Sequence, residues 1–218
     1  ALGSTGIAVR TAADTWATRT ITSTDASVTI TNPAGVAGDV DLSVSGRKLL
    51  ATKTASASAT LDFTEFNNAV YRRYEFELEN LLPATDGAQL RLLTSTNGGS
   101  SYDNTAADYA FARTQKILAA AEDDAGGSAG SATIALVSNV GNAAGEQGVT
   151  GIIKIWSPGS AVRATFRWEL HTFDAAAGGI NLVSGTGARL ANQDTDAVRF
   201  LMDAGNITSG TIRMFGII

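Results

Sequence analysis

The sequence predicts an all-β protein: an antiparallel β-sandwich of two sheets over residues 47–218, preceded by a thin β-rich segment over residues 1–46. Three observations carry that expectation. Apolar residues recur at period two in short runs, the mark of strands with one buried and one wet face. Clusters of Gly, Ser, Asn and Asp separate the runs, as turns require. Nearly half of the chain is Ala, Thr, Gly or Ser, so long helices are not expected to dominate.

Residues 1–46 are dense in Thr and Ser, contain no Phe or Tyr, and hold one Trp, Trp16. TRTIT (18–22) and SVTIT (27–31) read as strands, broken by the turn residues Asp25, Asn32, Pro33 and Gly35. Val28 and Ile30 share a face. Val40, Leu42 and Val44 then alternate with Asp39, Asp41 and Ser43. A single apolar row this narrow cannot be buried by one copy of the chain. The pattern therefore predicts packing against further copies, as repeat and fibre architectures do; the alternative is a flexible linker.

From Arg47 the alternation becomes regular. KLLATKTA (48–55) and SATLDF (58–63) open the domain. VYRRYEFEL (70–78) sets Val70, Tyr74, Phe76 and Leu78 against Arg73, Glu75 and Glu77, and QLRLLTST (89–96) repeats the pattern through Leu90 and Leu92. DYAFART (108–114) reads as a strand through Tyr109, Phe111 and Arg113. Ile117 to Asp124, rich in Ala with Leu and Glu, is expected to form one or two helical turns, and EDDAGGSAGSA after it a mobile surface loop. SATIALVS, GIIKIW, AVRFLMDA and TIRMFGII supply further strands. The sharpest is VRATFRWELHT (162–172), where Val162, Phe166, Trp168 and Leu170 oppose Arg163, Arg167, Glu169 and His171. The count is nine or ten strands. The last, with Ile212, Met214 and Ile218 on one side, is expected inside a sheet, because an exposed apolar terminus would promote aggregation.

Composition removes several function classes. With no Cys, disulfides, thiolate metal sites and a cysteine nucleophile are excluded. One histidine, His171, leaves little room for zinc, haem or triad chemistry. A net charge of -5 and a pI near 4.8 disfavour nucleic acid as a partner. No apolar run approaches the roughly 18 residues that cross a bilayer, and ALGSTGIAVR lacks a basic leader with an apolar run, so a soluble chain without membrane insertion is expected. A start at Ala rather than Met suggests that these residues continue something longer or were processed. No GxSxG, GxxxxGK[ST] or GxGxxG context occurs, and neither cofactor nor catalytic residue is assigned.

STGIAVRTAADTWATRTITSTDASVTITNPAGVAGDVDLSV (4–44) resembles segments of tail fibres and tail-tip proteins of tailed bacteriophages, in which a TRTI…ITNxxGVAGxxxLSV unit precedes a carboxy-terminal domain. TSTNGGSSYDN (94–104), SNVGNAAGEQGVTGIIKIWSPGS (138–160) and ITSGTIRMFGII (207–218) are similar to the jelly-roll-like terminal domains of those fibres, which commonly end in GTIxLYG. Met214 and Phe215 stand here where Leu and Tyr are usual, which keeps an aromatic core side chain and loses a hydroxyl. The matched stretches cover under half of the chain. The resemblance implies a jelly-roll-like head on a β-rich shaft, a homotrimer, and a place in the virion tail fibre or tail tip beside other tail proteins. It further implies assembly in the host bacterial cytoplasm and attachment to bacterial surface polysaccharide or lipopolysaccharide. Two other roles are open: a polysaccharide depolymerase of the tailspike kind, and a purely structural fibre or head decoration.

Sugar recognition needs aromatic faces beside amides and carboxylates. The loop NGGSSYDNTAADY (97–109) offers Tyr102, Asp103, Asn104 and Tyr109 as ligand-binding candidates. Its alternative reading is a hairpin connection whose tyrosine packs on the sheet edge. Trp156, at a strand end before a Ser-Pro turn, is a further candidate, open between core edge, trimer contact and ligand platform. Trp168 reads as packing, and the row Arg163, Arg167, Glu169 and His171 as an exposed or inter-protomer ion-pairing face. Asp194 and Asp196, like Glu122, Asp123 and Asp124, lack the spacing of a calcium loop, so no metal site is assigned. Glu75 and Glu77 lie about 7 Å apart on one strand face. That spacing suits glycoside cleavage, and any row of charges on a wet strand face meets it too.

Overall fold

A computed structural model describes residues 6–22, 28–44, 46–118, 124–156, 158–159 and 162–218. Among them alternation prevails: sixteen strands form, every pairing is antiparallel, and there is no helix. The protein is all-β. The chain divides into two compact units, Ala1–Gly46 and Arg47–Ile218.

The first unit holds two hairpins. β1 (Ile7–Ala12) pairs with β2 (Thr15–Arg19) around Asp14, which takes a φ of 59°. β3 (Val28–Thr31) pairs with β4 (Asp41–Val44), placing Val28 opposite Val44 and Ile30 opposite Leu42. Asn32 ties the intervening turn: its Nδ2 donates to Gly38 O at 2.7 Å, while its Oδ1 accepts from the Val36 and Ala37 amides at 3.0 and 3.2 Å. The TRTIT run supplies β2 only through Thr18 and Arg19, and Ile21 instead donates its amide to Pro33 O at 3.2 Å. β1 has no counterpart in the sequence reading, because all six of its residues are exposed and no buried face marks it. Asp25 and Ser27 lie outside the described residues.

The second unit holds β5 (Arg47–Thr54), β6 (Thr60–Phe63), β7 (Arg73–Pro83), β8 (Ala88–Ser95), β9 (Tyr109–Ile117) and β10 (Asp124–Ser131). They are followed by β11 (Ile134–Val140), β12 (Val149–Trp156), β13 (Thr165–Phe173), β14 (Ile180–Arg189), β15 (Ala197–Met202) and β16 (Ile207–Ile217). One sheet has eight strands in the order β10-β9-β14-β13-β12-β7-β16-β5, and the other has four, β11-β8-β15-β6. Setting aside β9, β10, β13 and β14, the pairing is nested: β5 with β16, β6 with β15, β7 with β12, β8 with β11. Eight strands thus wind as a folded hairpin between two sheets. The other four are two inserted hairpins that join each other through β9 and β14 and double the width of the larger sheet.

Inward faces of the two sheets meet in one apolar core. Phe63 and Phe200 of the smaller sheet pack edge-on against Phe76 of the larger, with ring centroids 5.3 and 5.4 Å away. β7 keeps its alternation through Tyr74, Phe76 and Leu78, then slips by one residue at Asn80 (φ 52°), so that Leu81 and Pro83 become the buried pair. The bulge is held from β12, where Thr150 Oγ1 accepts the Asn80 amide at 3.0 Å.

The twelve strands of this unit exceed the nine or ten expected, since β10 has no apolar residue larger than Ala and β14 carries Ile180 and Leu182 on its exposed face with glycine at two inward positions. β14 turns Gly185 and Gly187 inward, where a Cβ on Gly185 would lie 2.2 Å from the Trp168 ring. Bulk missing from one strand is supplied by its neighbour. β10 is formed by the stretch expected to be a mobile loop; a Cβ on its Gly127 would come 2.9 Å from Phe111 O, so close approach to β9 demands a glycine. The helical turns expected from Ile117 to Asp124 do not form at either end, where Ile117 closes β9 and Asp124 opens β10, and 119–123 lie outside the described residues. Val70 and Val162 precede their strands and are exposed rather than inward. β16 runs inside the larger sheet with Ile212 and Met214 fully buried, whereas Ile218 lies beyond its end and is exposed. Phe215 is not a core residue: it faces outward beneath the Arg47 guanidinium, 3.4 Å from the ring centroid.

Candidate functional site

Alternation sends every second residue of the larger sheet to its outer face, and antiparallel register lines them up in rows. Lys154 of β12 sits opposite Arg167 of β13, which sits opposite Thr186 of β14, which sits opposite Ala112 of β9. The adjacent row reads Ile152, Glu169, Ser184 and Thr114. Trp156 lies one step further along β12, opposite Thr165.

These rows enclose two shallow hollows. Ile152, Lys154, Trp156, Arg167 and Glu169 line one of about 190 Å³. Ala112, Thr114, Arg167, Ser184 and Thr186 line a wider one of about 350 Å³, underlain by Arg113 and Gly185. Arg113 turns its guanidinium away toward β11, donating to Ala135 O at 3.1 Å and Ser138 Oγ at 2.9 Å. Arg167 is common to both hollows. It donates to Glu169 Oε1 at 3.2 Å, and both side chains are mostly exposed, so the pair holds weakly. The set combines a partly exposed indole, a guanidinium, an ammonium, a carboxylate and three hydroxyls. Such a surface can stack on a sugar face and exchange hydrogen bonds with its hydroxyls.

Of the ligand-binding candidates read from the sequence, only Trp156 belongs to this face. Tyr102 packs on the outer side of the smaller sheet, its ring 4.1 Å from the Arg199 guanidinium. Arg199 is gripped in turn by Asp62 through bonds of 2.8 and 2.6 Å. Burial, with Asp62 nearby, pushes the Tyr102 hydroxyl up to about 12. Asp103 accepts from the buried Arg189, which also donates to Asp194 O at 2.9 Å and Gln193 Oε1 at 2.8 Å and so ties two loops to the end of β14. Tyr109 is a correction. It is fully buried, donates to Asp103 O at 2.9 Å and accepts the Thr94 amide at 2.8 Å, so it presents nothing to a ligand. Burial pushes its pKa up to about 12. Asn104 is exposed on the same loop. The loop serves chiefly to clamp the sandwich end, since closing it satisfies polar groups that burial would otherwise strand.

Glu75 and Glu77 do share the outer face, with Arg47 between them at 2.8 and 2.7 Å and Lys154 3.8 Å from Glu75. Arg47 and Lys154 together set two cations against the two carboxylates. Among the described residues no cluster of three or more acidic or histidine side chains is placed to hold a metal ion. Asp194 offers Arg189 its backbone carbonyl, and the Asp196 amide donates to Ser95 O at 3.0 Å. His171 lies exposed next to Leu182.

The hydroxyl cluster of Ser184, Thr186 and Thr114 was not anticipated from the sequence. Its signal was the alternation of Ser184 and Thr186 with Val183, Gly185 and Gly187, hidden because two of the three inward positions are glycine. No known family, curated protein or solved structure matches the chain.

Proposed function

We propose that the protein is a non-enzymatic attachment component of a tailed-phage virion, a homotrimeric fibre or tail tip that binds bacterial surface glycan through the outer face of its larger sheet. One observation carries the proposal. Between residues 6 and 44 no described side chain is buried, yet Trp16, Val36 and Leu42 are each more than half exposed, at 56%, 61% and 55%. Two-stranded hairpins without a covered face are marginal in water, and copies of the same chain are the cover that fibres use. The nested wiring of the second unit supports a jelly-roll head with two added hairpins. The hollows around Arg167 and Trp156 fit shallow glycan contacts, and three weak sites on one axis hold through avidity.

Light scattering on the full chain tests the assembly: three subunits are expected, and a monomer overturns the fibre reading. Incubation with purified surface polysaccharide tests the activity. Retention without cleavage is expected; release of reducing ends would make the protein a depolymerase, and a trimer that retains no glycan would be structural only.

A further inference from the structure

We propose that the hollows around Arg167 take an anionic sugar, a glycan unit bearing carboxylate or phosphate, with the anionic group held between Arg167 and Lys154 and the ring lying on Trp156. The inference rests on the glycan-binding reading above and narrows it to a ligand class. The chain carries a net charge of -5, so an anionic polymer is repelled unless the charge is reversed locally. That reversal is local to the two hollows. The outward charged groups of the narrower hollow are Lys154 and Arg167 against Glu169, and no carboxylate lines the wider one.

The neighbouring acid is already engaged. Glu75 shares Arg47 with Glu77, at 2.8 and 2.7 Å, and lies 3.8 Å from Lys154, so the Lys154 ammonium keeps only one long ion pair. The partner of Arg167 is equally easy to displace, because its pair with Glu169 is solvent-exposed on both sides. A guanidinium fork matches carboxylate and phosphate in bidentate geometry, which a ligand anion supplies better than a side chain two residues along the same strand. Trp156 and Arg167 are diagonal neighbours across β12 and β13, a separation of about 7–8 Å between strand positions. One ring stacked on the indole therefore brings an exocyclic acid group to the guanidinium. Hydroxyls of the next unit then meet Ser184, Thr186 and Thr114.

The full chain is tested on an array of bacterial surface oligosaccharides, each present with and without its carboxylate or phosphate substituent. Retention confined to the charged members is expected, weakening with salt. Arg167→Gln should lower that affinity roughly tenfold, Trp156→Ala should abolish it, and Arg163→Gln, which removes the same charge outside the hollows, should leave it within about twofold. Signals limited to uronates or to phosphorylated sugars identify the source of the anion. Equal retention of the neutral partners overturns the anionic ligand while leaving glycan binding intact. No retention of any member by the wild-type chain overturns the glycan reading itself. Equal losses in Arg163→Gln and Arg167→Gln would mean diffuse attraction and no site.

Discussion

The two units of this chain use the same strand grammar with opposite results. In the first, Val28 and Ile30 stand in register with Val44 and Leu42 across a hairpin, and no described residue from 6 to 43 is buried. In the second, the same alternation places Phe63, Phe76, Phe200 and Trp168 under a second layer and leaves each at most 1% exposed. Period two is thus enough to make a strand and insufficient to make a fold; what decides is whether another face lies across from it. Order in the first unit comes from turns such as that of Asn32, whereas in the second it comes from interlocking faces.

The largest test of that contrast is Gly185→Val. A Cβ there would meet Trp168 ring atoms at 2.2 Å, and the indole is only 1% exposed. A loss of about 4 kcal/mol or more is expected in urea unfolding followed by Trp fluorescence. Trp168→Leu in the same chain should recover part of it. A loss below about 1 kcal/mol would show that the faces do not interlock. Next comes Arg189→Met, which strands Asp103 and the acceptors of Asp194 and Gln193. A cost of about 2–3 kcal/mol is expected by calorimetry.

Alkaline pH separates the units by composition. The first has no Tyr, so only the second responds. Its Tyr109 is raised to about 12 from an ordinary 10 by burial, meaning that the folded state holds the phenolic proton more tightly than the unfolded one. That contribution is complete below pH 10 and is lost as pH climbs through about 12, costing about 2–3 kcal/mol from Tyr109 alone. Urea midpoints taken across this window should fall for the wild type and stay flatter for Tyr109→Phe.

Most of the second unit was legible because its strands announce themselves. Leu90, Leu92, Phe166, Trp168 and Leu170 are all inward, as their spacing says. What was not legible lies where one strand's bulk fills another's gap: β14 is invisible beside Trp168, and the hydroxyls of the outer face were hidden with it. Tyr109 illustrates the converse. A tyrosine in a polar loop looks like a sugar platform, yet its hydroxyl closes onto Thr94 and Asp103, partners that sequence distance conceals. Trp156 kept its place on a surface because outward parity at the end of β12 is a local property, readable without the rest of the fold.

The smallest expected effect bears on the first unit. Leu42 is 55% exposed and opposes Ile30 in the β3–β4 hairpin, so within one chain its side chain covers little. Leu42→Asn should therefore shift the unfolding of the second unit by no more than about 0.5 kcal/mol. If copies cover the row in the proposed trimer, the same substitution exposes a polar amide to a neighbour's apolar side chain. Association then weakens, and the mass found by light scattering becomes concentration-dependent. Calorimetry and scattering on one sample thus read the two units independently. An unmoved main transition with a falling mass keeps them distinct: a face completed within the chain, and a face completed only by other copies. A main transition that falls by several degrees along with the mass would show that the second unit draws its stability from the assembly, and the contrast between the two would collapse.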